Sequence, residues 1–166
     1  MRTLIALATA AAVVAVAAPA MAQGQVTGSI GYTESKTTDA PDVSLGSITG
    51  RLGYRQGWLG AEGELSTGVK SDTFTVAGVS TKVQLKDQFA VYGMAIAPIT
   101  PNFDVFARVG YGQTKTTSTD NSVNYGAGAE YFFDAKNGVR ADYTRHDFQN
   151  SGNNFDTYGV SYVRKF

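Results

Sequence analysis

The sequence predicts an all-β fold, an eight-stranded antiparallel up-and-down transmembrane β-barrel. Three observations carry that prediction. Apolar and polar residues alternate with period two over eight segments, the connections between them alternate short and long, and aromatic residues gather near both ends of the segments.

The chain has 166 residues, no cysteine and a formal net charge of zero, which suits one barrel domain behind a processing segment. Arg2 gives a short positive start, Leu4 to Ala18 form an apolar stretch, and Ala20-Met21-Ala22 supplies the small-x-small pattern before Gln23. Residues 1–22 are therefore expected to be a cleaved signal peptide, with residues 23–166 forming the barrel. An Ala-rich stretch of 15 residues is too short and too weakly apolar to prefer spanning a bilayer as a helix. Removal leaves 144 residues with 13 basic and 14 acidic side chains, a balance that gives a nucleic-acid partner nothing to rest on. The mature chain has no long apolar run, so no membrane-spanning helix is expected in it.

The strands follow in order. Val26, Gly28, Ile30 and Tyr32 make one face of the first; Ile48, Gly50, Leu52 and Tyr54 of the second; Leu59, Ala61, Gly63 and Leu65 of the third. Phe89, Val91, Gly93 and Ala95 mark the fourth, although Lys86-Asp87-Gln88 breaks its pattern and leaves its facing open. Val105, Ala107, Val109 and Tyr111 mark the fifth, and Tyr125, Ala127, Ala129 and Tyr131 the sixth. Val139, Ala141 and Tyr143 mark the seventh, and Tyr158, Val160 and Tyr162 the eighth. Short connections at Gln56-Gly57, Pro98 to Asn102 and Asp134 to Gly138 carry turn residues. Longer polar ones run from Lys36 to Asp42, Val69 to Thr81, Gln113 to Asn121 and Asp147 to Asn154. Short periplasmic turns and long extracellular loops are the pattern of an outer-membrane barrel.

Alternation alone does not name the solvent, and a soluble sandwich or lipocalin-like barrel alternates too. The faces decide. The polar face carries Arg51, Arg55, Glu62, Glu64, Arg108, Glu130, Arg140 and Asp142, while the apolar face is nearly free of charge. Tyr32, Tyr111, Tyr125, Tyr143 and Tyr158 fall toward the long-loop rim, and Tyr54, Trp58, Tyr131, Phe133 and Phe166 toward the short-turn rim. Two aromatic girdles fit rings at headgroup depth. A closed barrel with its apolar face to lipid leaves no backbone edge in hydrocarbon.

With the residues in hand, the chain resembles the OmpA-type outer-membrane barrels, a family that includes small adhesion and opacity proteins. The stretch PITPNFDVFARVG (Pro98 to Gly110) is similar to that family's hairpin between its fourth and fifth strands, and WLGAEGE (Trp58 to Glu64) to its third strand. GAGAEYFFDAKNGVRADYTR (Gly126 to Arg145) resembles strands six and seven, and GVSY (Gly159 to Tyr162) the last. The resemblance places Glu62, Arg108, Glu130 and Arg140 in the family's interior ion-pair network. Met94 stands where that network has a lysine, a departure that touches the family's electrostatic gate and not its barrel. The end of the chain, with Tyr158, Val160, Tyr162 and Phe166 in alternation, resembles the signal by which the outer-membrane assembly machinery recognises barrels; Arg164 departs from that pattern.

An eight-stranded lumen is just wide enough to be filled by side chains, and charges in it must pair. Arg51, Glu62, Glu64, Arg108, Glu130, Arg140 and Asp142 are therefore expected to form a lumen plug. A two-residue turn at Gln56-Gly57 would set Arg51 opposite Glu62. Catalysis is not expected. The single histidine, His146, has Asp147 beside it on a strand, where neighbours point to opposite faces, so it reads as a solvated or lumen-rim group. Asp39 and Asp42 lack the framework of a calcium site, and neither a metal nor a cofactor is expected. The segment Asp72 to Leu85 is expected to extend the barrel wall as a hairpin whose edges suit strand addition. The implied partners are outer-membrane lipid with its lipopolysaccharide, periplasmic chaperones and the barrel-assembly machinery, and an extracellular ligand at the loops. The barrel is expected to be a monomer with a structural or adhesion-like role; the alternative is a narrow porin passing small solutes or ions.

Overall fold

The computed structural model describes residues 24–37, 44–69, 72–76, 79–83, 87–115, 119–148 and 155–166. The expected signal peptide and its cleavage residues Ala20, Ala22 and Gln23 lie outside these, as do Asp39 and Asp42. The strands in chain order are β1 (Gln25–Thr37), β2 (Ser44–Gln56), β3 (Leu59–Gly68), β4 (Asp72–Val76) and β5 (Val79–Val83). They continue as β6 (Asp87–Thr100), β7 (Phe103–Lys115), β8 (Thr119–Phe132), β9 (Asn137–Phe148) and β10 (Phe155–Lys165). Eight of them close into a barrel in the order β1-β10-β9-β8-β7-β6-β3-β2, while β4 and β5 pair only with each other.

Every neighbouring pair is antiparallel, and closure is made by β1 on β10, from Thr27 opposite Lys165 to Thr37 opposite Phe155. Barrel strands of 10 to 14 residues match the length needed to cross a bilayer when tilted. No helix among the described residues is long and apolar enough to cross a membrane, so any crossing is by these strands.

The period-two pattern becomes facing. Ile30, Leu52, Leu65, Val91, Val109, Val139 and Val160 stand exposed on the outer wall, whereas the buried side chains are mostly polar or charged. The polarity of a soluble protein is inverted, and so contiguous an apolar surface needs a non-aqueous neighbour. The facing left open for the fourth barrel strand is resolved: in β6 Phe89 and Val91 point out and Ala90, Tyr92, Met94 and Ile96 point in, with Asp87 exposed at its long-loop end.

Three expectations are corrected. The first tight turn is Gly57-Trp58, because Gln56 pairs Leu59 and Gly57 takes φ of 61°, a conformation that favours glycine. The register of β2 on β3 moves by two residues, and Arg51 faces Glu64 directly. Secondly, the connection from Gln113 to Asn121 is mostly strand, since β7 runs to Lys115 and β8 starts at Thr119. Thirdly, β4 and β5 form a hairpin of their own and do not continue the barrel wall. The β3–β6 ladder ends at Thr67 opposite Asp87, so the wall is complete without them.

Candidate functional site

The lumen is where polar chemistry converges. Alternation turns Arg51 of β2, Glu62 and Glu64 of β3, Arg108 of β7, and Arg140 and Asp142 of β9 inward, and all six are buried. Arg140 lies 2.5 Å from Glu62, 3.1 Å from Asp142 and 3.4 Å from Glu130. Arg108 lies 3.1 Å from Glu62, 3.0 Å from Glu64 and 3.0 Å from Asp142. Arg51 lies 2.6 Å from Glu64 and 3.3 Å from Asp142, while Glu62, its expected partner, is 3.9 Å away. Each arginine thus shares two or more carboxylates: Arg51, Arg108 and Arg140 match Glu62, Glu64 and Asp142 in number, and Glu130 adds a fourth carboxylate beside Arg140.

Topology decides how far this layer reaches. β9 and β3 stand four strands apart in the ring of eight, so the Arg140–Glu62 pair joins opposite walls. Its cost and strength have one origin. Charges removed from water are stable only when geometry and extra hydrogen bonds compensate, and here they do: Arg108 Nε donates to Thr144 at 3.0 Å, and Arg51 Nη1 to Ser161 at 3.5 Å. The guanidinium of Arg140 also lies over the Phe106 ring at 4.3 Å, and that of Arg108 over Tyr92 at 4.4 Å, where the ring faces attract cations.

Met94 sits beside the layer with Ile96 and Phe106 in a small apolar cluster, directly opposite Arg108 on the neighbouring strand. An uncharged side chain there leaves Arg108 to Glu62, Glu64 and Asp142. Toward the long-loop end the lumen turns to hydroxyls and amides: Thr33 bonds Ser47 at 2.7 Å and Thr49 at 2.8 Å, and Thr49 bonds Ser66 at 2.7 Å. Asn124 donates to the Tyr92 hydroxyl at 3.2 Å. Toward the short-turn end lies a vestibule of about 400 Å³ lined by Gln25, Arg55, Thr100, Asp104 and Lys165 among others. There Arg55 pairs Asp104 at 2.5 Å, and the Lys165 ammonium rests 3.4 Å from the centre of the Phe132 ring.

Several of these partners were not singled out by sequence reasoning. Tyr92, Thr144, Ser161, Asp104 and Lys165 each occupy an inward position, and that alternation was their only signal. Of the two readings for His146, the solvated one does not hold: the residue is buried on the inward face near the long-loop end of β9, as the lumen-rim reading has it, and its Nδ1 lies 3.3 Å from Gln88 Nε2. Asp147 is exposed on the other face, so the two do not form a catalytic pair. Among the described residues no group of His, Asp or Glu is arranged to hold a metal.

On the outside, Tyr32, Tyr111, Tyr125 and Tyr158 are exposed at long-loop height, as Trp58, Tyr131, Phe133 and Phe166 are at short-turn height. Tyr143 and Tyr54 are half-buried, and Tyr143 packs on Tyr158 with ring centres 5.3 Å apart. Val160 and Tyr162, with Tyr158 and Phe166, also face outward from β10 and its end.

The pattern of the outer membrane protein β-barrel domain matches residues 7–166. The chain belongs to the outer membrane protein β-barrel family. It is thus an integral barrel protein of the Gram-negative outer membrane, and the inverted polarity of its wall has the corresponding solvent. Among solved structures the barrel is similar to Ail of Yersinia pestis, crystallised with the heparin analogue sucrose octasulfate. That match has a TM-score of 0.65 at 15% identity and covers 87% of this chain and 99% of Ail. Neisserial surface protein A matches with a TM-score of 0.60 at 11% identity, covering 87% of this chain and 98% of its own. The N-terminal barrel of Pseudomonas aeruginosa OprF matches at 0.50 and 14% identity, covering 85% and 99%. At such identities the likeness is one of fold. No curated protein sequence matches the chain.

Proposed function

We propose that this family member is a surface barrel with a closed lumen, whose role is structural and adhesion-like and is exercised through its long loops. The observation that supports closure is the ion-pair layer centred on Arg140 and Glu62, which links opposite walls at 2.5 Å. A lumen filled by paired side chains passes few ions, because moving one through would separate buried charges. No catalytic role is assigned to it. Residues 1–22 are read as a cleaved signal, and Tyr158, Val160, Tyr162 and Phe166 as the recognition face for periplasmic chaperones and the assembly machinery. The rings of Tyr32, Tyr111, Tyr125 and Tyr143 on one side, and of Tyr54, Trp58 and Tyr131 on the other, are read as interfacial girdles against lipid and lipopolysaccharide. The barrel is taken to act as a monomer, with an extracellular ligand at its loops, as a sulfated ligand accompanies Ail.

A narrow porin is the second reading, favoured by the vestibule of about 400 Å³ at the short-turn end, lined by Arg55, Asp104 and Lys165 among others. Planar-bilayer recordings of the purified, refolded protein separate the two. Closed baselines with rare, small openings are expected; large, stable open channels would overturn the closed-lumen reading.

A further inference from the structure

The outer wall carries charged residues at both rims. At the long-loop end Glu34, Asp87, Asp147 and Asp156 stand on the outer face together with Lys36 and Arg145. At the short-turn end stand Lys136 and Arg164 with Asp134, all three exposed. The Asp134 carboxylate folds back onto its own turn. Its Oδ1 accepts from the Lys136 N–H at 2.7 Å and the Asn137 N–H at 2.6 Å, and its Oδ2 from Asn137 Nδ2 at 2.8 Å.

The two cations are neighbours in the fold. Arg164 stands directly opposite Asn137, and the Lys165 N–H donates to the Lys136 carbonyl at 2.7 Å. Neither Lys136 nor Arg164 lies within ion-pair distance of a carboxylate among the described residues. Phe133, Tyr162 and Phe166 stand exposed around them, and the Arg164 guanidinium lies 5.8 Å from the Phe166 ring centre. Aromatic rings favour headgroup depth, and cations at that depth attract anionic lipid.

We propose that Lys136 and Arg164 form a clamp for the headgroup phosphate of an anionic phospholipid in the periplasmic leaflet, with its acyl chain along Tyr162 and Val139. The clamp rests on the membrane reading above, with short turns facing the periplasm. A guanidinium donates two N–H groups to phosphate oxygens in a fixed fork, and the ammonium adds a mobile point charge. Two cations near a lipid surface enrich an anionic headgroup on the order of tenfold or more over the bulk membrane.

Trp58 is the only tryptophan of the chain, and its turn joins β2 to β3, across the ring from the β8–β9 turn that holds Lys136. It is therefore a control on the same rim. The full chain is refolded into vesicles carrying phosphatidylglycerol or phosphatidylcholine with the same brominated chain, and tryptophan quenching is read. The probe for the clamp is Phe133→Trp in a Trp58→Phe background. Brominated phosphatidylglycerol should quench position 133 at least about twofold more than brominated phosphatidylcholine and position 58 equally. Lys136→Gln with Arg164→Gln should remove the difference, and free inorganic phosphate should leave it in place. In the protein without those substitutions, raising salt from about 0.1 to about 1 M should shrink the difference as screening tightens to ~3 Å. Equal quenching at 133, a preference that survives both substitutions and high salt, displacement by free phosphate, or an equal preference at 58 would each overturn the clamp. Failure of either lipid to quench Trp58 would instead sink the membrane reading and the clamp with it.

Discussion

Arg140 shows what a buried charge asks of its surroundings. Its guanidinium meets Glu62, Glu130 and Asp142 and rests on Phe106. Arg140→Met would leave those carboxylates short of a cation in a site with little water. A loss of about 3–5 kcal/mol is expected, read as a lower urea midpoint for refolding into vesicles. Arg140→Met with Glu62→Met removes one charge of each sign and should recover a large part of that loss, because apolar replacement of a whole pair is often near neutral. A double variant as weak as the single one would argue that packing, and not the unpaired carboxylate, sets the cost. Outside the membrane, Asp134 follows a different logic. The hydrogen bonds from the Asn137 side chain, then from the Lys136 and Asn137 N–H groups, hold its carboxyl below the ordinary aspartate value. A folded pKa below the unfolded one gives stability that is present above the unfolded value, about 3.9, and is lost as pH falls through the lowered one. The Asp134 carboxyl should thus titrate by NMR at lower pH than a free aspartate, and Asn137→Ala should return it toward the ordinary value.

At the scale of elements, the turns fix which charges meet. Gly57 holds φ of 61°, so Gly57→Val should cost about 1–2 kcal/mol through left-handed strain, measured as a lower refolding midpoint with wild-type heat-modifiable mobility. An unchanged midpoint would mean that the turn relaxes to another type. This turn also marks how far the sequence could be read. The positions of all eight barrel strands, and the facing of Arg51, Glu62, Glu64, Arg108, Glu130, Arg140 and Asp142, were legible because strand alternation has a period of two that strand ends do not disturb. The register of β2 on β3 was not legible. Gln56, Gly57 and Trp58 offer two overlapping two-residue turns, and the strand alternation does not choose between them; the turn that forms sets Gly57, with its positive φ, at the first central position. Cross-lumen partners lie further out of reach, because β3 and β9 are brought face to face by closure and stagger. The family resemblance pointed to Glu62 and Arg140 as one network, whereas Tyr92, Thr144 and Ser161 carried only their inward parity.

The whole molecule divides into a closed wall and a hairpin that pairs only with itself. The closed ring of eight strands has every neighbour paired, and β4–β5 belongs to a separate sheet. Since β3 already reaches β6 from Leu59–Ala95 to Thr67–Asp87, the hairpin adds no rung to the barrel. Loop closure entropy changes only by fractions of a kcal/mol when a connection is shortened within the flexible range. Replacing residues 72–83 by a short Gly-Ser link should therefore leave the heat-modifiable shift and the urea midpoint within about 0.5 kcal/mol of the parent. The same variant should lose binding to matrix-coated surfaces if the hairpin presents the ligand site, since β4 and β5 offer outer edges suited to strand addition. A barrel that no longer folds would show that the hairpin helps close the wall. A folded barrel that binds as before would move the ligand site to another loop. Folding and binding are thus read on one protein, and each has its own way to fail.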